Sequence, residues 1–543
     1  METGTERARD RAGKLHLTAF VLCTLVLAAM SFVLSCGSAY ATPTLDSISG
    51  DDRYETSANI AEEAFPDGVE SGYAVLVNGT DSGWPDALAA SSLAGALEGP
   101  VLLTMQSDLP DDIAEVIESL GIEDVIIVGG TNSVSEDVAT ELANLGVSVD
   151  RIYGGSRYDT QAGVYEYGVK QGYWDSTIFV ASGNTYADAL SVSSIAYSQC
   201  IPIFLVNGSS GFSDKQVEYL FDGSITTAYL LGGTSSVPYF VEKYMVGVTR
   251  INAISQSESG SSSAASVTRI YGGDGGDRYD TSLAIAEWAV KSGYASWDYA
   301  AFVSGTKAAD ALSASALQGS DGSVILLVAN ANSVTIDGIE EHAGKVTTCV
   351  RVIGGTSSVS SSTRQAIREA LDIDDYEIMG ESEVTVDQMV ACYEATGHEY
   401  PSEELGDGGA STIEKFCEIL YEEAETEGVK AEVVFAQSMI ETGWLQFGGD
   451  VDISQYNFAG IGAVGGGASG ASFDNVRQGL RAQVQHLKAY ASTDDLVNDC
   501  VDPRFDLVTR GCATTVQGLS GRWAASETYG DQIVELIYKV KSY

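Results

Sequence analysis

A threefold internal repeat constrains the fold of this chain more than any other feature. The tract Asp52-Arg53-Tyr54-Glu55-Thr56 returns as Ser156-Arg157-Tyr158-Asp159-Thr160 and as Asp277-Arg278-Tyr279-Asp280-Thr281. An Asp-Ala-Leu tract follows each, at Asp86, Asp188 and Asp310, and a hydrophobic run ending in Gly-Gly-Thr follows that, at Gly129, Gly232 and Gly354. The Arg-to-Asp spacings are 33, 31 and 32 residues, and the Asp-to-Gly spacings 43, 44 and 44. A period of about 100 residues is too long for a solenoid, so each copy is expected to be a small domain with its own core. Three linked copies of a binding unit gain retention through effective concentration.

Within a copy, short apolar runs alternate with helical spacing. In the first, Tyr73-Ala74-Val75-Leu76-Val77, Val101-Leu102-Leu103 and Val125-Ile126-Ile127-Val128 have strand character, with helices expected between and after them. Alternating strands and helices imply parallel sheets covered on both faces. Asp86, Asp188 and Asp310 fit helix N-caps, and also fit partners for Arg53, Arg157 and Arg278 that lock module to module. The Gly-Gly turns lack both a G-x-G-x-x-G tract and a P-loop lysine, which argues against nucleotide binding. The Ser-rich stretch Ser255 to Ser266 in copy two is expected to be a flexible loop.

The Arg-Tyr-x-Thr, Asp-Ala-Leu and Gly-Gly tracts together resemble the family called cell wall binding repeat 2, over about residues 45–373. The resemblance implies flavodoxin-like α/β modules in a set of three, holding an exported protein on a Gram-positive wall through a secondary wall polymer. Arg53, Asp86, Arg157, Asp188, Arg278 and Asp310 are then candidates for polymer binding or module locking. The expected modules are 45–149, 150–268 and 269–373, followed by an acidic linker, 374–408, and a distinct domain, 409–543.

That last domain carries the candidate chemistry. Gln437-Ser438-Met439-Ile440-Glu441-Thr442-Gly443-Trp444 places a glutamate at a helix end, where backbone carbonyls disfavour a carboxylate. Neighbouring apolar groups add desolvation, so Glu441 suits a general acid with a raised pKa. Tyr456-Asn457-Phe458-Ala459-Gly460-Ile461, Arg481-Ala482-Gln483-Val484-Gln485-His486 and Gly521-Arg522-Trp523-Ala524 with Tyr529 follow in order. This set resembles bacterial endo-β-N-acetylglucosaminidases of the glycoside hydrolase family 73 type. It implies a mainly α, lysozyme-like fold that cuts peptidoglycan glycan strands, with Glu441 and Tyr529 catalytic and Trp444, Tyr456 and Asn457 at the substrate. Asp450, Asp452 and Glu527 are candidates for a second carboxylate; the substrate's own acetamido group is the alternative. His486 fits a structural role better than that of a base.

Composition narrows the rest. A net charge of -47 opposes nucleic acid and anionic lipid. Arg7, Arg9, Arg11 and Lys14, then an apolar run to Leu34 and Ala39-Tyr40-Ala41, form a secretion signal over 1–41, with an uncleaved anchor as the alternative. After cleavage no membrane association is expected. No LPxTG-type signal is present, so wall attachment is expected to be noncovalent. Cys500 and Cys512 flank a short loop and are a disulfide candidate in an exported chain; Cys392–Cys417 is a weaker one. The histidines are too scattered for a zinc site, and no cofactor is expected. The expectation is therefore a secreted, wall-retained peptidoglycan hydrolase. A lytic transglycosylase and a non-catalytic surface protein that only binds wall glycan are the alternatives.

Overall fold

The computed structural model describes residues 43–543 apart from 81–82, 223, 259–263, 347, 374, 450, 464–469 and 527. The expected signal at 1–41 and the candidate carboxylates Asp450 and Glu527 therefore lie outside the described residues. Among the described residues no helix is long and apolar enough to cross a membrane.

Twelve parallel strands form three four-stranded sheets. In chain order the strands are β1 (Thr44–Ile48), β2 (Tyr73–Asn78), β3 (Val101–Thr104), β4 (Asp124–Val128), β5 (Ser148–Ile152) and β6 (Thr177–Ser182). They continue with β7 (Ile203–Val206), β8 (Thr227–Leu231), β9 (Ser266–Ile270), β10 (Ser296–Ser304), β11 (Ser323–Val328) and β12 (Cys349–Ile353). The sheet orders are β3-β2-β4-β5, β7-β6-β8-β9 and β11-β10-β12-β1. Each sheet is thus completed by the strand that leads into the next repeat. The third repeat has no successor, so it takes β1 from the start of the chain, with Ile48 opposite Ile353. Ile152 and Ile270 stand in the same register against Val128 and Leu231. The set is closed head to tail. The expected boundaries at 149/150 and 268/269 consequently fall inside β5 and β9.

The three Asp-Ala-Leu helices, α1 (Trp84–Ala96), α2 (Ala187–Ser198) and α3 (Ala314–Ser320), pack on one another at the centre. Their alanines and serines are almost all buried. Small side chains let the backbones approach closely: a Cβ on Gly95 would lie 2.0 Å from the carbonyl oxygen of Tyr197, and one on Gly319 would lie 2.5 Å from that tyrosine's ring. One apolar core consequently runs through all three repeats, joining Leu88, Leu190 and Leu312. The expectation of three modules with separate cores is corrected on this point, although the second repeat keeps a satellite cluster of its own around Phe204 and Met245. The Ser-rich stretch also differs from expectation, since helix Tyr239–Glu258 extends into it.

The C-terminal part is helical. It is built on Ile413–Glu427, α5 (Ala431–Thr442), α6 (Val476–Ala491) and α7 (Tyr529–Lys541), which follow α4 (Ser361–Ala370) of the third repeat. Buried Glu423 accepts from Arg477 and Arg481 at 2.7 Å each, tying α6 to Ile413–Glu427. The expected linker 374–408 belongs to this unit. Tyr376, Ile378, Val384, Met389, Tyr393 and Leu405 lie in its core, and the Tyr376 hydroxyl donates to Glu432 at 2.8 Å. The acidic residues of the segment are interspersed with apolar ones that are buried in this core.

Gly95→Ala is expected to cost about 1–3 kcal/mol, because the added methyl must displace a backbone carbonyl. Urea unfolding followed by circular dichroism measures this, and an unchanged midpoint would refute the close contact.

Candidate active site and wall-binding ring

Helix α5 is buried along nearly its whole length. It ends at Gly443 in a left-handed turn that continues through Trp444 and Leu445, with φ values of 54°, 57° and 64°. Such conformations cost on the order of 1 kcal/mol or more for residues with a side chain. Here they are held by local bonds. The Trp444 amide donates to the Met439 carbonyl and the Phe447 amide to that of Thr442, each at 2.8 Å. The Thr442 hydroxyl accepts from the Leu445 amide at 2.9 Å while donating to Ser438. The reversal leaves Glu441 at the rim of the domain, with solvent on one side and protein on the other.

On the protein side, the Tyr529 hydroxyl donates to Glu441 Oε1 at 2.5 Å, and Trp523 also bonds the carboxyl. A directed chain stands behind this contact. Ser438 Oγ donates to Gln483 Oε1 at 2.9 Å, Gln483 Nε2 to Gln437 Oε1 at 3.0 Å, and Gln437 Nε2 to the Tyr529 oxygen at 3.0 Å. Because the Gln437 amide donates to it, the tyrosine turns its own proton toward Glu441. On the other side, a Cβ at Gly460 would lie 3.4 Å from Glu441 Oε2, so this glycine keeps that oxygen clear. Desolvation by the surrounding protein raises the Glu441 pKa, against the lowering effect of Tyr529 and Trp523. Burial, with the Glu441 charge beside it, pushes Tyr529 well above the usual phenol range.

The other expected site residues divide. Trp444 is half-buried and packs at a tilt against Tyr393, with ring centroids 6.3 Å apart. The Tyr456 hydroxyl donates to the Glu404 carbonyl at 3.4 Å. Asn457 is buried and fully engaged: its Nδ2 donates to the carbonyls of Ile461 and Ala471, and its Oδ1 accepts from the Ile461 amide. It has no group left for a sugar and instead fixes the loop that carries Gly460, which corrects the expected substrate contact. Asp452 is exposed and caps Ser454. His486 bonds buried Asp502 at 2.7 Å, and its ring meets the edge of Trp523 at 4.8 Å, a supporting role as expected.

The six described cysteines are free thiols, so the expected Cys500–Cys512 and Cys392–Cys417 disulfides are corrected. For the first pair the loop is pinned to separate turns of α6: Val501 donates to Gln485, and Ala513 to the Tyr490 carbonyl. Sequence reasoning passed over Gln437 and Gln483. The available signal was a polar side chain on an otherwise apolar helix face, as at Leu480, Gln483, Val484 and Leu487.

In the ring, Asp86, Asp188 and Asp310 are not N-caps; Gly83, Tyr186 and Ala308 hold those positions. Each carboxyl instead crosses to the Gly-Gly-Thr turn. Asp86 accepts from Ser133 and Asp310 from Ser358, while Asp188 lies against Gly232. Burial pushes the Asp86 and Asp188 carboxyls up to about 6, with the Arg157 and Arg278 charges acting in the opposite sense. Each arginine therefore faces the aspartate of the preceding repeat. Arg157 lies over the Trp84 ring at 5.3 Å and Arg278 over Tyr186 at 5.7 Å. Their Nη1 atoms donate to the carbonyls of Gly183 and Gly305, as Arg53 does to Gly79. At the closing junction Ala308 replaces the aromatic shelf, and a crevice of about 530 Å³ opens, lined by Arg53, Trp84, Tyr186, Lys307, Asp310 and Ser358. A second, of about 420 Å³, lies between the second and third repeats at Asp188 and Arg278.

A head-to-tail α/β ring carrying a helical domain with a glutamate at the open end of a buried helix is the class defined by this fold and site. The family described as cell wall binding domain 2 matches residues 47–139, 151–242 and 269–364, just over half the chain, and the protein belongs to it. The family described as mannosyl-glycoprotein endo-beta-N-acetylglucosaminidase matches 417–542. An uncharacterized protein of Borreliella burgdorferi is 41% identical over 122 residues, 22% of this chain and 60% of its own length. The N-acetylmuramoyl-L-alanine amidase LytC of Bacillus subtilis is 29% identical over 234 residues, 43% of this chain and 45% of its own. The chain thus spans less than two thirds of either relative. Cwp8 from Clostridium difficile shares the fold with a TM-score of 0.51 at 24% identity, covering 64% of this chain and 55% of Cwp8.

Tyr529→Phe removes the donor to Glu441, which stabilises the charged carboxylate. The Glu441 pKa is therefore expected to rise, moving the alkaline limb of a pH–rate profile upward, while kcat falls about tenfold or more. An unchanged profile would exclude the contact from catalysis.

Proposed function

We propose that the protein is an exported peptidoglycan hydrolase, an endo-β-N-acetylglucosaminidase held noncovalently on the cell wall. The observation that carries this reading is the Glu441 carboxyl. It is partly desolvated, oriented by Tyr529 on one oxygen and cleared by Gly460 on the other, in a domain of the glucosaminidase family joined to a wall-binding ring. In the proposed reaction Glu441 gives its proton to the glycosidic oxygen beside N-acetylglucosamine, and the C1–O bond breaks toward an oxocarbenium-like state. Tyr529 and Trp523 then stabilise the carboxylate that is left. A carboxylate from Asp450 or Glu527, or the sugar's acetamido oxygen, supports C1 before water completes hydrolysis. Asp452 is less suited, because its carboxylate is engaged in capping Ser454.

The inter-repeat crevices are proposed to take the wall polymer. Their arginine donors and aromatic shelves fit sugars bearing anionic groups, and the acidic remainder of the chain opposes bulk charge attraction to an anionic polymer.

Glu441→Gln keeps the shape and removes the transferable proton, so wall lysis is expected to fall about 10²- to 10⁴-fold. A zymogram on purified walls measures it, and near-normal clearing would reject the assignment. Mass spectrometry of the products separates hydrolysis, which adds water, from transglycosylation, which leaves an anhydro-muramyl end.

Wall retention of the Glu441→Gln protein is expected to weaken stepwise as Arg53, Arg157 and Arg278 are replaced by Ala, singly and then together. Monovalent salt is expected to leave retention unchanged or stronger, since it screens the repulsion of an acidic chain from an anionic polymer. Pull-down across a salt series tests both points; steep release by salt, or no effect of the triple variant, would contradict the crevice assignment.

A further inference from the structure

We propose that Arg368, a residue of the wall-binding ring, is a positioning residue for catalysis. Its buried ion pair with Asp531 fixes the start of α7, and thereby Tyr529 and the carboxyl it orients. The proposal rests on the reading of Glu441 as the acid.

Helix α7 has two working faces. Tyr529, Ile533, Ile537 and Val540 lie in the helical domain's core. Asp531 turns to the ring, where Arg368 of α4 donates to its Oδ1, and both side chains are buried. One turn earlier on α4, Arg364 adds a second positive charge near Asp531. Further along, α7 packs against β1. The helix is thus bound to both elements of the closing junction, α4 and β1.

Asp531 and Tyr529 are two residues apart in the first turn of a helix, so about 3 Å of rigid rise separates them. No flexible segment intervenes. Gly530, between them, is wedged on the other side: a Cβ there would lie 2.5 Å from Gln517 Cα and from the Val516 carbonyl oxygen, and its amide donates to Ser520 Oγ at 2.9 Å. The turn that presents Tyr529 is gripped by the helical domain on one side and by the ring on the other.

The ring is altered at this point. At the first two junctions an arginine of the closing strand serves the Gly-Gly turn. Arg151 donates to the carbonyls of Gly129 and Val134, and Arg269 to that of Gly232. In β1 the equivalent residue is Ser47, opposite Val352 in the sheet. The missing guanidinium is supplied from α4: Arg364 donates to Gly354 and Val359, the counterparts of Gly129 and Val134, and also to Ser47 Oγ. Exchanging the strand's long arginine for serine clears the surface on which α7 lies, while α4 supplies both the repair and, with Arg368, the clamp.

The test compares the full-length wild type with Arg368→Gln, Arg368→Lys, Asp531→Asn and Glu441→Gln on soluble glycan fragments, following kcat, KM and the pH–rate profile. With the pair broken, Tyr529 drifts from Glu441. Arg368→Gln is expected to lower kcat about tenfold or more with KM nearly unchanged. The alkaline limb should rise, because the carboxylate loses a donor. Arg368→Lys, which keeps the charge, should recover most of both effects. Should Arg368→Gln fail to fold, Asp531→Asn, nearly isosteric, is read in its place with the same expected shift. Wild-type kcat and an unmoved alkaline limb in a folded Arg368→Gln or Asp531→Asn protein would overturn the proposal, as would a fall in melting temperature with no change in either. Activity in Glu441→Gln would instead sink the acid assignment itself, so the two failures are distinguishable.

Discussion

The close approach of α1, α2 and α3 at the centre of the ring is the constraint on which the rest depends. Bulky side chains at the contact points would hold the backbones apart, so the sequence supplies Ala, Ser and Gly there, and the loss of bulk is offset by burial along nearly the whole length of each helix. Once three repeats meet around one line, each sheet edge faces the next repeat and is completed by its leading strand. Only one arrangement leaves no sheet without that strand: the first strand of the chain must close the last sheet. The three repeats therefore share one core rather than being strung along linkers, and the spacing of the inter-repeat crevices is set by that packing.

The candidate site meets two opposed requirements. A carboxyl whose pKa is raised by desolvation must be short of water, yet Glu441 stays open to solvent on one side. The left-handed turn at Gly443, Trp444 and Leu445 meets the second by ending α5 abruptly, with Glu441 at the rim. Desolvation meets the first, while the relay from Ser438 through Gln483 and Gln437 pairs the buried amides and turns the Tyr529 proton toward Glu441, orienting the carboxyl. Strain in the turn is offset by burial of Leu445 and by the bonds of Thr442. Functional geometry here is a property of one helix end and the side chains beneath it.

Much of this was legible in the residues, for identifiable reasons. The repeat, its parallel strands and its Arg, Asp and Gly-Gly tracts recur at fixed spacing, and recurrence survives without a structure. Glu441 and Tyr529 carry chemistry that few other roles explain. What escaped reading depends on contacts remote in sequence. Asn457 presents the same letter whether its amide meets a sugar or the Ile461 backbone. The 374–408 segment looked like a linker because its acidic residues are frequent, while the apolar ones that bury it are spaced through a short helix and two loops. Cys500 and Cys512 are near in sequence, but helix α6 holds their loop open. Most telling is Arg364, which occupies the place of Arg151 from an unrelated position, so no alignment of repeats would reveal it.

Apart from the longer helix of the second repeat, two departures from the threefold pattern fall at the closing junction. The closing junction has Ala308 where the other two carry Trp84 and Tyr186, and Ser47 where they carry Arg151 and Arg269. The first change removes an aromatic shelf and leaves the larger crevice beside Arg53; the second frees the strand surface for α7. The closing junction, formed by β1 and the third repeat, is where α7 of the C-terminal domain packs on the ring among the described residues. Substitutions tolerated there do not disturb the other two junctions, because each is held by its own arginine and its own strand. Relaxing the threefold pattern at the closing junction leaves the arginine-held turns of the other two in place, opens the crevice beside Arg53, and ties the helical domain to the ring through the buried Arg368–Asp531 pair.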